Sequence, residues 1–378
     1  MQMKPLMEEW RKYLSEASAD CKLPNRGDIA EGIVAAAIVA KLSKRTEGAI
    51  GVVDVEDVIH QVRQIKEMRA TVSTQVPDLQ GEYVDTISFS IEMPQRAFAA
   101  LTDPTLIRCL TGEYEGAIKY VNSTPMHKFA LRLAQNKQSN EIVVEAAGTK
   151  DQKGTKVDIS IVVDGVRKRN LVSLKVKGGE QFAQKTGKDF SVQEAFWSPL
   201  GIDVASLKEP YEEIVERIPA GKPFGSREEI NEGGYLNLAA AATSMVYGEA
   251  YRQLQSHLDE NRLEAEFVEK LVEYIIAGAV GPDAEFIELV KIMPNDFLRA
   301  RFGSKFRRQM KEANLYPVFI ESGSYPKIQI ILEDEEGNKS VLVQMRAKVE
   351  RARSGTRYGV LMRNYVETGP GLYQLAAI

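Results

Sequence analysis

Three short strand-like segments in the middle of the chain constrain its fold more than any other feature. They are rich in aliphatic and β-branched residues and lie at Glu141–Ala147, Lys156–Asp164 and Leu171–Lys177. The stretch 148–154 joins the first two, and Asp164-Gly165 is typical of a tight turn between the second and third, although the charged run 166–170 lengthens that connection. Short connections of this kind predict an antiparallel meander.

Helical periodicity flanks this meander on both sides. Apolar residues recur at helical spacing in Asp28–Leu42 and Val55–Met68, and again in Ala239–Leu254 and Leu263–Ala279. Strand-like alternation marks Tyr83–Met93 and returns after Tyr316, beyond a basic segment, 295–314, with helical character. The pattern predicts an α/β protein in three parts: an α/β core with N-terminal helices (1–200), a helical region (201–294) and a basic, β-rich C-terminal domain (295–378).

Composition places the chain among ordinary globular proteins, with 44% hydrophobic and 27% charged residues. It contains no apolar run of the roughly 18–20 residues that a membrane span needs, and the N-terminus lacks the apolar centre of a signal peptide. Only two cysteines occur, Cys21 and Cys109, which favours reduced thiols. We therefore expect a cytoplasmic protein that does not enter a membrane.

Charge is distributed unevenly along the chain. The net charge is −4, yet the segment 291–378 carries 15 Lys and Arg against 9 Asp and Glu. A basic surface on an otherwise acidic protein is typical of contact with a polyanion such as DNA.

Candidate catalytic residues lie on the second and third strands of the meander. Alternation along a strand puts Ser173 and Lys175 on one face, and Asp158 shares a face with Ser160 on the preceding strand. A carboxylate that binds a divalent cation, with a lysine beside the attacking water, suits metal-dependent hydrolysis of a phosphodiester. The alternative is a cross-strand ion pair between Asp158 and Lys175 on a solvated face.

These residues resemble the PD-(D/E)XK nuclease superfamily, which includes restriction endonucleases and phage exonucleases. Lys156-Val157-Asp158-Ile159-Ser160 is similar to its Asp-bearing strand, and Leu171-Val172-Ser173-Leu174-Lys175 to its (D/E)-x-K strand. The segment 27–32 resembles a preceding helix that supplies a glutamate, here Glu31, and 180–184 resembles a segment that carries glutamines, here Gln181 and Gln184. The resemblance covers residues 27–187, and its motifs are short and degenerate.

The resemblance implies a restriction-endonuclease-like mixed sheet flanked by helices, with a helical insert and a C-terminal antiparallel β region. It implies an endonuclease that is dependent on Mg²⁺ or Mn²⁺, of a kind that phages encode, working on DNA as a homodimer. The implied metal ligands are Asp158, Glu31, Glu145 and the carbonyl of Leu174. Lys175 would lie beside the attacking water, with Ser173 lining the site.

The chain departs from the family pattern at one position. Ser173 stands where the family has Asp or Glu, and a neutral hydroxyl is a weaker ligand for a hard cation than a carboxylate. Either Glu31 or Glu145 replaces the missing acid, or the fold serves as a non-catalytic DNA-binding or virion component. Glu31 has a second interpretation as well, because Asp28 and Glu31 match a capping box with Asp28 as the N-cap.

The basic C-terminal region supplies the candidate DNA contacts. They are Arg307 and Arg308 on the predicted helix, and Arg346, Lys348, Arg351, Arg353 and Arg357 on a predicted hairpin and its loop. Alternation puts Gln344, Arg346 and Lys348 on one strand face. Such a surface suits contact with phosphates, and the alternative is a solvated face balanced by carboxylates of the same protein.

Overall fold

The computed structural model has a mixed α/β architecture and describes residue 23 together with most of the chain from residue 26 onward. The described ranges are 26–46, 48–81, 84–135, 141–146, 158–176, 181–280, 287–293, 296–320 and 325–376. Within them the α-helices are α1 Arg26–Ser43, α2 Val55–Gln64, α3 Gln95–Thr102, α4 Thr111–Val121, α5 Thr124–Gln135, α6 Phe190–Trp197, α7 Lys208–Val215, α8 Arg227–Glu232, α9 Tyr235–Ser256, α10 Ala265–Val280, α11 Ser304–Glu312 and α12 Pro370–Leu375.

The strands of the same ranges form two large sheets and two short hairpins. They are β1 Arg45–Thr46, β2 Ala49–Ile50, β3 Arg69–Pro77, β4 Val84–Glu92, β5 Glu141–Ala146, β6 Ile159–Val163, β7 Val166–Val176, β8 Gln181–Thr186, β9 Leu258–Asp259, β10 Arg262–Leu263, β11 Ile287–Met293, β12 Asp296–Arg301, β13 Asn314–Ile320, β14 Lys327–Glu333, β15 Lys339–Ser354 and β16 Arg357–Thr368.

The chain divides into two compact units. Unit 1 comprises 1–179 and 283–301, and unit 2 comprises 180–282 and 302–378. These units cut the chain at points other than those of the three predicted segments. The prediction of helix was wrong for β11, and for β12 within the predicted basic helix, because pairing in the sheet of unit 1 decides their conformation.

Unit 1 is built on a seven-stranded mixed sheet with the order β12-β11-β7-β6-β5-β4-β3. The predicted antiparallel meander is confirmed, since β5 pairs antiparallel with β6, and β6 with β7. The neighbours on either side are parallel: β4 runs with β5, and β11 runs with β7. The strands β4, β5, β7 and β11 therefore all end at the same edge of the sheet.

Helix α1 lies at the centre of unit 1 and is buried along nearly its whole length. It packs against β4, β5 and β7 on the sheet side and against α2, α3 and α4 on the other. Small residues allow this close packing: a Cβ at Gly32 would lie 2.7 Å from Leu101 Cδ2 and 2.9 Å from Met93 Cε. A helix that is apolar on every side is typical of a core position between two layers.

Lys41 is a buried cation near the C-terminal end of α1. Its side chain is 1% exposed, and its Nζ donates to the carbonyl of Gly51 at 2.8 Å and to Asn122 Oδ1 at 3.2 Å. Burial, with a smaller contribution from the charge of Lys44, holds the pKa of Lys41 below its ordinary value of 10.5.

We expect this lowered pKa to make Lys41 pH-sensitive. Between that lowered pKa and 10.5, Lys41 binds fewer protons in the native state than in the unfolded state. The contribution of Lys41 to the free energy of unfolding therefore rises with pH. Urea unfolding of wild type and Lys41→Met at pH about 8 and about 10 isolates this contribution, because the other titrating groups are common to both proteins. The free-energy difference, wild type minus variant, should grow with pH. A difference that stays flat or falls would contradict the assignment.

Unit 2 contains a five-stranded antiparallel sheet with the order β13-β14-β15-β16-β8. The predicted strand character after Tyr316 is confirmed as far as Thr368, whereas Leu372–Leu375, for which a further strand was expected, belongs to helix α12. The segment that carries Gln181 and Gln184 forms β8 and pairs with the edge of β16. The long helix α9 packs on this sheet. Its Tyr247 joins Phe196 and Trp197 in an aromatic cluster of the core.

The structure bears on two expectations from composition, the absence of a membrane span and the state of the cysteines. No helix among the described residues is long and apolar enough to cross a membrane. Cys109 is disulfide-bonded, which corrects the expectation of two reduced thiols. Cys21 lies outside the described residues, and separation in sequence does not exclude a disulfide. Disulfides are rare in reducing compartments, so the cysteines do not support the expected cytoplasmic location.

Candidate functional site

The candidate site lies at the edge of the unit 1 sheet where its parallel strands end. Asp158 immediately precedes β6, and because β6 runs antiparallel to β5 and β7, its first residues lie beside the last residues of those two strands. In open α/β sheets this carboxyl edge is where ligands commonly bind. The site therefore begins with a carboxylate at a favourable place in the fold.

Asp158 contacts the backbone of the neighbouring strand directly. Its Oδ2 accepts a hydrogen bond from the N–H of Leu174, and its side chain is half-buried. This bond fixes the carboxylate against β7 one residue before Lys175. A charge-assisted bond of this kind is stronger than a neutral one, so the position of the carboxylate is well defined.

The backbone of β7 carries the other two predicted catalytic residues on either side of Leu174, whose side chain is buried. In register with the parallel strand β11, Ser173 pairs with Leu289 and Lys175 pairs with Lys291. The side chains of Ser173 and Lys175 lie outside the part of the chain that the structure describes. The structure thus places their backbone beside Asp158.

Glu145 lies near Asp158 on the neighbouring strand β5. It pairs in register with Ser160, whose Oγ donates to Glu145 Oε2 at 2.9 Å. Ser160 follows Asp158 by two residues, but Asp158 lies in a bend before β6 and its carboxylate contacts the backbone of β7, so strand alternation does not extend to it. Glu145 therefore lies on the strand next to β6, on the face of β5 opposite the buried Val144 and Ala146.

Glu31 approaches the same edge from the other face. It precedes Gly32, which packs against Ile91 and Met93 at the end of β4. Glu31 is half-buried on α1, whereas Glu145 belongs to the face of β5 opposite the buried residues that pack with that helix. The helix begins at Arg26, so Asp28 lies inside its first turn, and the prediction of Asp28 as an N-cap was wrong.

The predicted metal ligands can be tested against what a hard cation needs. Within the described ranges, no group of three or more Asp, Glu, His or Cys side chains could hold a metal ion. Mg²⁺ requires less than this, since it usually keeps several waters and binds through one or two carboxylates. Asp158, the carbonyl of Leu174 and, on the neighbouring strand, Glu145 are oxygen donors of the kind that such a water-rich site uses.

Sequence reasoning missed Lys291, the cation whose strand position pairs with Lys175. It lies on β11, more than a hundred residues further along the chain, within a segment interpreted as helical. The run Ile287–Ile292 is rich in β-branched residues, and this local preference for strand could have identified it. The register with β7 could not be inferred from sequence.

Several predicted DNA contacts have carboxylate partners within unit 2. Arg346 pairs with Glu367 at 2.7 Å, and Lys348 pairs with Glu350 at 2.7 Å. Arg307 forms an ion pair with Glu273, and Lys311 with Glu269. Gln184 is exposed and donates to Thr186 Oγ1 at 2.6 Å, and Arg308 is also exposed. The predicted alternation of Gln344, Arg346 and Lys348 on one strand face is confirmed. Glu367 accepts hydrogen bonds from Gln344 and Arg346, and its carboxylate offsets part of the positive charge of that face.

Comparisons with known proteins give no family. No protein-family model, no curated protein and no solved structure matches this chain significantly. The class that the fold defines is a mixed α/β protein with two units, and function must be argued from the site itself.

Proposed function

We propose that this protein is a Mg²⁺- or Mn²⁺-dependent deoxyribonuclease of restriction-endonuclease-like fold, with its active site at the Asp158 edge of unit 1. One observation carries the proposal: the carboxylate of Asp158 is hydrogen-bonded to the backbone of β7 one residue before Lys175. The meander, the parallel strand β11 and the buried helix α1 support the fold assignment.

Each residue of the site has a defined task in this proposal. Asp158, Glu145 and the Leu174 carbonyl would hold the cation, which when bound polarises the phosphate and lowers the pKa of water. Lys175 would orient the attacking water and stabilise developing negative charge. Ser160 would hold Glu145 in place through its hydrogen bond of 2.9 Å.

We expect Asp158→Asn to reduce cleavage to the level seen without metal. The full chain is incubated with supercoiled plasmid and Mg²⁺ or Mn²⁺, and nicking is followed on gels, while calorimetry measures Mn²⁺ binding without DNA. Asp164→Asn is the matched control, because Asp164 lies in the turn after β6 and its Oδ1, which an asparagine retains, accepts from Glu141 N at 2.9 Å. The proposal is supported if wild type and Asp164→Asn both cleave DNA and bind Mn²⁺, whereas Asp158→Asn does neither. Equal activity of Asp158→Asn and wild type would refute it.

A second candidate function is a nuclease-like fold that binds DNA or serves in a virion without cutting. The observation that favours it is the small donor set: within the described ranges no group of three metal-binding side chains exists, and Ser173 occupies the usual acidic position. This candidate predicts no nicking with either metal and no Mn²⁺ binding that depends on Asp158. The same experiment therefore separates the two functions.

A further inference from the structure

The hairpin of β15 and β16 extends beyond the rest of the unit 2 sheet. Strand β14 pairs with β15 only as far as Arg346, and β8 pairs with β16 only from Arg363 onward. Beyond these points the two strands pair with each other as far as Ser354 and Arg357, joined by a two-residue turn in which Gly355 has φ +58°. A two-stranded ribbon therefore projects from the sheet.

A neighbouring segment braces one edge of this ribbon. Phe224 and Tyr358 exchange backbone hydrogen bonds of 3.2 Å and 2.9 Å. A Cβ at Gly359 would lie 2.1 Å from the carbonyl oxygen of Gly221, so only glycine permits this approach. The brace brings the loop and helix α8 to the end of the ribbon.

Five exposed cations gather there, and we call them the basic ribbon end: Lys222, Arg227, Arg351, Arg353 and Arg357. Three of them donate hydrogen bonds to neutral oxygens. Arg351 donates to Asn231 Oδ1, Arg353 Nε donates to the Gly355 carbonyl at 2.8 Å, and Lys222 donates to the Arg353 carbonyl at 3.4 Å. Two guanidiniums, those of Arg227 and Arg353, lie 5.8 Å and 5.7 Å from the ring centroid of Tyr358.

The carboxylates that belong to the same helix as Arg227 only partly offset the basic ribbon end, with an electrostatic interaction between Arg227 and Glu228. None of the five cations forms an ion pair with a described carboxylate there, in contrast to Arg307, Arg346, Lys348 and Lys311. Helix α8 contributes Glu228, Glu229 and Glu232, and Glu229 Oε2 accepts from the N–H of Gly225 at 3.2 Å. A phosphate can therefore pair with these cations without first displacing a carboxylate from a salt bridge.

We propose that the basic ribbon end binds the phosphate backbone of double-stranded DNA. Guanidiniums match phosphate oxygens with two parallel hydrogen bonds, and stacking on Tyr358 holds two of them in place. A two-stranded ribbon also has the size that the major groove of a duplex admits, about 12 Å in width. This site is separate from the proposed catalytic edge of unit 1 and does not depend on it.

The test measures binding of a fluorescent duplex of roughly 24 base pairs by anisotropy, with EDTA present so that no cleavage intervenes. For Arg351→Gln with Arg353→Gln, we expect affinity to fall about tenfold or more at about 0.15 M salt. The slope of log K against log salt should fall by about 2, because each phosphate contact contributes about 0.9. Conversely, Glu228→Gln with Glu232→Gln should tighten binding.

The matched control is Arg307→Gln with Lys311→Gln, which removes two cations of the same unit that already have carboxylate partners. Its salt slope should change by less than half as much. Absence of duplex binding by wild type would overturn the inference, and so would equal losses in the two double variants. Equally tight binding of polyglutamate would replace DNA with an acidic protein as the partner. Because metal is absent, none of these outcomes depends on the nuclease proposal.

Discussion

Replacing Arg45 with Met lowers the free energy of unfolding of unit 1 by about 3–5 kcal/mol, the usual cost of leaving one member of a buried ion pair without its partner. Arg45 Nη1 contacts Asp85 Oδ2, and the two side chains are 1% and 8% exposed. Arg45 Nε also donates to the Leu42 carbonyl at 2.9 Å. The substitution would leave the buried Asp85 side chain without its ion-pair partner.

The double variant Arg45→Met with Asp85→Leu separates the ion pair from simple packing. Because it removes both charges, we expect it to recover most of the lost stability. Hydrogen exchange read peptide by peptide reports on each unit by itself, which matters in a chain whose two units need not unfold as one. If Arg45→Met alone changes the free energy of unfolding by less than about 1 kcal/mol, water reaches Asp85 and the prediction is wrong.

Trp197→Ala is expected to destabilise unit 2 by about 3–5 kcal/mol, through lost burial and the cavity that remains. Trp197 is 0% exposed, and its ring meets those of Phe196 and Tyr247, each with a centroid separation of 5.0 Å. These edge-on contacts add to the loss, since aromatic pairs are worth about 0.5–1.5 kcal/mol beyond their area. Urea unfolding, monitored by hydrogen exchange of the peptides that cover α6 and α9, measures the effect.

Trp197→Phe is the control for this prediction. The indole Nε1 has no hydrogen-bond partner among the described atoms, so phenylalanine removes a buried, unsatisfied donor while it fills much of the volume. We expect it to cost less than half as much as alanine. If the two variants cost the same, the ring contacts would contribute little, and the estimate for the cluster would be wrong.

The two proposals place chemistry and binding on different parts of the chain. The catalytic proposal uses Asp158 and the strand pairing of unit 1, whereas the duplex-binding proposal uses five cations of unit 2. A protein that binds duplex DNA through the basic ribbon end and does not cut would satisfy the second proposal and refute the first. The experiments therefore inform each other without depending on each other.

Local pattern was sufficient for much of the fold. The alternation of β5 and β6, the Asp164-Gly165 turn and the strands from Asn314 to Thr368 were predicted because side-chain period and turn residues are local properties. Strand β3 and the parallel pairing of β7 with β11 were not predicted. Partner choice depends on contacts between distant segments, which no local pattern records.

For the candidate site, the sequence by itself determined which carboxylates and cations are available and which of them alternate on one strand face. Only the tertiary structure decided which of these charges meet. It brings Asp158 to the backbone of Leu174, pairs Arg346 with Glu367, and gathers Lys222 and Arg227 with the hairpin arginines more than a hundred residues away. The physical reason is that alternation follows from the chirality and geometry of each residue, whereas the proximity of charges follows from the packing of whole layers.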